Sequence, residues 1–293
     1  VGFSPPADDS LILGFTAVDF TDQFVIQFRK WNGQIVVYGE GLGLGEFVPI
    51  GPVIYTSPTG LFAPNIWNYI EVKARIDLTN GYIKVQITPE GSLTPVTVVD
   101  LKNIQTQFGT FNYVDSIAFG HPWFGTADFD FDDFYVEDNV SAGGDEPDND
   151  FLGDVRVITS SVVGDDHVQW TPNDPGYDNF QEVNEQQFDG DATYNKSQTP
   201  GQQDTFNFAP YTQHVSKIYG LTLKTAARKD DAGQKEIAQV LRIGADTFQC
   251  RTVSLPDTDY IFITDLFTKN PITGRAFTND DFNALSAGYK LIL

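Results

Sequence analysis

The sequence predicts an all-β protein built as two β-sandwich domains joined by an acidic linker. Three observations carry this. Asn32-Gly33 and Asn80-Gly81 each sit between runs rich in β-branched and aromatic residues. That is a strong local hairpin signal, because both turn residues tolerate positive φ. Short apolar or alternating runs recur between Pro and Gly punctuation, with no sustained helical period, as in a sandwich. Residues 143–150 read Gly-Gly-Asp-Glu-Pro-Asp-Asn-Asp and carry no apolar side chain, the composition of a solvated linker. The expected division is a first domain over 1–140, a linker over 141–150 and a second domain over 151–293.

The elements follow in order. Phe24–Phe28 and Ile35–Tyr38 pair through the first Asn-Gly turn. Residues 67–77 alternate, with Trp67, Tyr69 or Ile70, Val72, Ala74 and Ile76 on a core face and Glu71, Lys73 and Arg75 on a wet face, which describes an outer strand of an antiparallel sheet. The turn at Thr79-Asn80-Gly81 leads into the strand Tyr82–Ile87. Further strands are expected at 96–99, 114–119 and 129–136, with a short helical turn within 100–108. The second domain opens on a strand over 151–159. A polar stretch over 164–201 carries Trp170, Tyr177, Phe180, Val183 and Tyr194. It is too long for a structureless loop and reads as an irregular crossover with one helical turn near 179–184. Strands follow at 205–208, 216–229, 235–243, 247–253, 259–264 and 289–293, the third returning from the second through the turn at Asp230–Gly233. A short helix capped by Asn279 covers 279–284.

Composition excludes several functional classes. The chain of 293 residues has 18 Lys plus Arg against 40 Asp plus Glu, a formal charge of −22. This is opposite to what a nucleic-acid-binding surface needs, and it disfavours docking on an anionic membrane. No apolar run approaches the roughly 18–20 residues of a membrane helix. The start, Val-Gly-Phe-Ser-Pro-Pro, has no basic or apolar signal region. Met is absent, so residue 1 reads as a processed or trimmed end. One cysteine, Cys250, excludes an intrachain disulfide and a Cys-based zinc site, and its strand context describes a buried, inert thiol.

No catalytic constellation emerges. His121, His167 and His214 are not at metal-ligand spacing, no Gly-x-Ser-x-Gly elbow is present, and each reads as a surface or turn residue. Gly41-Leu42-Gly43-Leu44-Gly45-Glu46 superficially matches a phosphate loop, but Phe47-Val48-Pro49-Ile50 follows in place of a helix, so it reads as an inter-strand loop. Asp128, Asp130, Asp132 and Asp133, with Phe129 and Phe131 between them, present carboxylates on one strand face. Ca²⁺ is the cation such oxygens would suit; the favoured reading is a charged face that resists edge aggregation. The linker acids Asp145, Glu146, Asp148 and Asp150 read as a solvated run. A glycosidase needs two acids at fixed separation, and with forty acids the sequence singles out no pair. Trp31, Trp123 and Tyr113 are candidates for stacking on sugar, set against the general tendency of large aromatics to be core residues. The sequence therefore singles out no catalytic and no metal-ligating residues, and it assigns no glycan-binding residues.

Residues 67–73 (Trp-Asn-Tyr-Ile-Glu-Val-Lys), 80–85 (Asn-Gly-Tyr-Ile-Lys-Val) and 131–136 (Phe-Asp-Asp-Phe-Tyr-Val) resemble the laminin-G / concanavalin-A-like jelly-roll group over about residues 11–137. Residues 149–157, Trp170-Thr171-Pro172, residues 182–185, 227–233 and 270–278 resemble a tail-proximal domain of tailed-bacteriophage virion proteins, with Phe277 where that pattern often has Trp. Together these resemblances imply a virion-located structural protein: a head decoration, head fibre or tail-fibre component. They imply no catalytic residues. Its expected partners are other virion proteins and host glycan. The rival is a carbohydrate-active depolymerase on the same sandwich. No heptad stalk is present, and oligomeric state is open.

Overall fold

The computed structural model describes residues 10–17, 22–39, 51–63, 65–120, 129–136, 150–185, 187–213 and 215–293. The chain divides into two compact units, Val1–Val157 and Ile158–Leu293. Both are antiparallel β structures, as the sequence predicts.

In the first unit, β1 (Ser10–Thr16), β2 (Asp22–Arg29), β3 (Gln34–Gly39) and β4 (Val53–Thr56) form a meander. The strand β8 (Ser116–Gly120) returns to pair with β1, giving the order β4-β3-β2-β1-β8. A second sheet contains β5 (Asn68–Arg75), β6 (Gly81–Pro89) and β7 (Val96–Ile104). Leu11, Leu13, Phe24, Ile26, Phe28, Ile35 and Val37 of the first sheet pack with Ile83, Val85, Ile87, Val98 and Val99 of the second, so the two inner faces share one core. Ile12, Val25, Val36 and Tyr38 on the other face of the first sheet are buried too. Strands buried on both faces lose their alternation, which is why 24–28 reads as a nearly continuous apolar run.

Both Asn-Gly hairpins form: Arg29 pairs with Gln34, and Arg75 with Tyr82. Several expectations fail. The strand β7 continues to Ile104, where a helical turn was expected. Residues 129–136 and 151–159 are not strands. They are irregular segments organised by carboxylates. Glu71, expected on a wet face, is 5% exposed. Its Oε1 accepts from Tyr135 Oη at 2.9 Å, from the Leu152 amide at 2.7 Å and from the Gly153 amide at 3.1 Å. Burial, then the neighbouring Tyr69 and Glu71, raises the Tyr135 pKa, so this phenol stays a donor. Asp133, at φ 53, accepts from the Val157 amide at 2.7 Å and from Arg156 at 3.0 Å. Lys84 lies 4.9 Å over the Phe151 ring. Residues 150–157 therefore strap the outer face of β5 and β6. This is why 151–157, expected to open the second domain, belong to the first unit. It also corrects the alternation read at 128–133: Phe131 and Phe134 are exposed and pack edge-on against Phe119.

The second unit has a five-stranded sheet of order β15-β14-β17-β12-β9. Its strands are β9 (Val162–His167), β12 (Gln203–Phe208), β14 (Lys235–Ile243), β15 (Asp246–Leu255) and β17 (Leu285–Leu291). The pair β13 (Leu221–Ala227) and β16 (Ile261–Phe267) contributes Leu223 and Ile263 to cores shared with this sheet. Gln239 of β14, fully buried, donates to Thr225 Oγ1 of β13 at 2.7 Å. The Asp230–Gly233 connection thus changes sheets; it does not close a β13–β14 hairpin. The α1 helix (Asn279–Asn283) is capped by Thr278, whose hydroxyl accepts from the Asp281 amide. The cap lies one residue before the expected Asn279.

The crossover holds the short pair β10 (Thr171–Pro172) and β11 (Asn195–Lys196), with a single 3₁₀ turn at Asn179–Glu182 where a helical turn was expected. Buried carboxylates again satisfy its backbone. Asp204 accepts from the Gln169 and Trp170 amides and from Asn179. Glu182 accepts from the Asp174 and Tyr194 amides. Asp165 accepts from the Phe180 amide. Trp170 packs on Tyr289 at 4.6 Å.

Two outcomes follow. Glu71→Ala orphans three buried donors and lowers first-unit stability by about 2–4 kcal/mol, read as a lower thermal midpoint with faster proteolysis in 150–157; Glu71→Gln keeps an accepting oxygen and loses far less. Burial, and then Asp178 and Asp204, raise the Asp165 pKa against the Phe180 hydrogen bond. The folded state therefore holds this proton to higher pH than the unfolded chain. The resulting penalty is complete above the raised pKa and absent below the ordinary carboxylate value. Asp165→Asn keeps the acceptor and removes the charge. Its urea midpoint should exceed that of the parent at pH 7 and converge with it on acidification.

Candidate functional site

At one end of the first unit, the β2–β3 turn and the loop after β4 enclose an open cleft of about 810 Å³, within the usual range for small-molecule sites. Backbone bonds join the two loops: Gly60 N to Asn32 O at 2.7 Å and Leu61 N to Gly33 O at 2.8 Å. Ser57 binds both sides of Ile35, its amide donating to the Ile35 carbonyl and its Oγ accepting from the Ile35 amide. Phe62 packs edge-on against the core ring of Phe28. Gly33 has φ 61, and a methyl there would collide with the Phe62 carbonyl oxygen. The Asn-Gly turn therefore closes the hairpin and also lets the second loop approach it.

The cleft wall carries an aromatic face and amides. Trp31 is 52% exposed, with the Arg29 guanidinium 5.3 Å from its ring centroid. Arg29 is itself fixed by Gln27, Gln34 and Tyr38, so it braces the ring. The Asn32 amide is engaged with Gln34. Asn68 donates to the Ile66 carbonyl at 2.8 Å, and its Oδ1 is enclosed with no hydrogen-bond partner among the described residues. Asn65, exposed at φ 60, and Lys30 also line the cleft.

Of the expected aromatic candidates, Trp31 lines this cleft. Tyr113 is 42% exposed and packs beside Phe111 elsewhere. Trp123 lies outside the described residues, as do residues 41–46, His121, His214, Asp128, Asp145, Glu146 and Asp148. His167 ends β9 opposite Thr205. Asp133 is engaged by the strap, Asp132 accepts from the Asp133 amide, and Asp150 lies 3.6 Å from Lys73. Among the described residues, no three acidic, His or Cys side chains converge as metal ligands. Burial, then Asp265, pushes the Cys250 thiol up to about 12, so it is not a thiolate nucleophile at neutral pH. Sequence reading misses Lys30, Asn65 and Asn68. Their signal was the cluster of turn formers Pro58, Gly60, Pro64 and Asn65, which marks a loop but not its neighbour.

No family model, curated protein or solved structure matches this chain.

Gly33→Ala is expected to cost the first unit about 1–3 kcal/mol and to separate the two loops. Hydrogen exchange at the Gly60 and Leu61 amides checks this: protection at both should fall, while protection in β6 is retained.

Proposed function

We propose that this chain is a non-enzymatic surface protein of a phage virion, in a head-decoration or tail-fibre role, whose first unit binds host glycan through the cleft at Trp31. The observation that carries the binding assignment is the exposed Trp31 indole, braced by Arg29, in a cleft that Lys30 and Asn65 also line. An apolar ring face and a few convergent hydrogen-bonding groups are what a sugar ring requires. The described lining residues contain no carboxylate, whereas glycoside hydrolysis needs two, which favours binding over cleavage. The virion setting rests on the resemblance of residues 149–157, 170–172, 182–185, 227–233 and 270–278.

The test titrates the chain against a panel of bacterial surface glycans, with Trp31→Ala as comparison and sugar release assayed in parallel. Binding should appear without release, and Trp31→Ala should weaken it about tenfold, equivalent to ~1.4 kcal/mol, with the thermal midpoint unchanged. Absence of binding across the panel overturns the glycan assignment. Sugar release puts the depolymerase reading in its place. Absence of the chain from purified particles overturns the virion setting.

A further inference from the structure

The cleft's charge is opposite to that of the molecule. In a chain of net charge −22, Lys73, Arg75, Lys102, Arg156, Arg228, Arg242 and Arg251 each pair with a carboxylate, while Lys84 and Lys196 lie over aromatic rings. Arg29 and Lys30 pair with none among the described residues. The three partners of Arg29 are the neutral oxygens of Gln27, Gln34 and Tyr38, at 3.0, 3.2 and 3.2 Å. Lys30 lines the cleft next to Trp31, and none of the described lining residues is acidic. Glu90, beside Pro89, is the acid adjacent in sequence to a lining position; its amide is held by the Trp67 carbonyl, and its side chain is not part of the wall.

Two consecutive uncompensated cations beside the stacking ring are therefore a local reversal of sign. At physiological salt the Debye length is about 8 Å, so the distant acids are screened while a group in contact with Lys30 is not. We infer that the cleft's ligand is an acidic saccharide: a sugar ring packs on Trp31 and its anionic substituent meets the Lys30 ammonium. This inference rests on the glycan-binding reading above and specifies its ligand class. Arg29 supports the ring and adds field without touching the ligand.

The experiment compares trigalacturonate with its neutral methyl ester, and a heparin-derived hexasaccharide with maltohexaose, against the full chain at physiological ionic strength. The acidic member of a pair should bind about two- to fivefold tighter, the range of one partly exposed charge contact. Preference in the first pair identifies a carboxylate as the recognised group, and preference in the second pair alone identifies a sulfate. Lys30→Gln should bring the acidic-to-neutral affinity ratio down to about one. Trp31→Ala should weaken both members of a pair together. Equal binding of acidic and neutral members, with both sensitive to Trp31→Ala, overturns the acidic-ligand inference and leaves the glycan-binding reading standing. A preference that survives Lys30→Gln overturns the role of Lys30. Binding of none of the four, alongside a blank glycan panel, overturns the underlying reading.

Discussion

A buried amide must find an acceptor, and in this protein the acceptor is repeatedly a carboxylate. Sheets meet the requirement within themselves. The segments that leave the sheets cannot, and two long ones are organised around fixed acids: Glu71 and Asp133 hold residues 150–157, while Asp165, Glu182 and Asp204 hold the crossover of the second unit. Hydrogen bonds to charged groups are stronger than neutral ones, so a few such residues can order long stretches without regular secondary structure. Part of the acidity of the chain is therefore internal architecture; only the remainder is a solvated coat.

The cleft obeys a different rule. Its two loops are pinned by backbone bonds and by one ring in the core. Sites held on rigid hairpins retain their geometry without a ligand. The indole is oriented by a guanidinium that is anchored through Gln27 and Tyr38 to the face of β2 and β3. The sheet thereby sets the position of a side chain on the turn beyond it.

The legible parts of the fold are the local ones. Asn32-Gly33 and Asn80-Gly81 specify hairpins within a dozen residues, and both appear with the expected partners. Trp31 is noticed because it adjoins such a turn. The larger failures are long-range. Glu71 looks solvent-facing because its partners lie 64 to 82 positions further along. The alternation of Phe and Asp at 128–133 suggests a strand, but Asp133 turns to positive φ to reach the Val157 amide. The strand β13 seems destined for β14 across a short turn, yet it pairs with β16. Asn68 reads as the start of a strand, and nothing nearby in sequence shows that the loop around Gly60 makes its end the wall of a cleft.

The strap also bears on how the two units could be parted. The acidic stretch looks like the natural place to sever the chain, since it reads as a linker. A cut before residue 150 would take Leu152 and Gly153 away from the fragment that retains Glu71, exposing the outer face of β5 and β6 and leaving a formerly enclosed carboxylate without its amide donors. The first compact unit ends at Val157. Its terminal residues act as an integral lid on the sandwich, and a shorter version would be expected to misfold or aggregate even though every strand of the first unit were present.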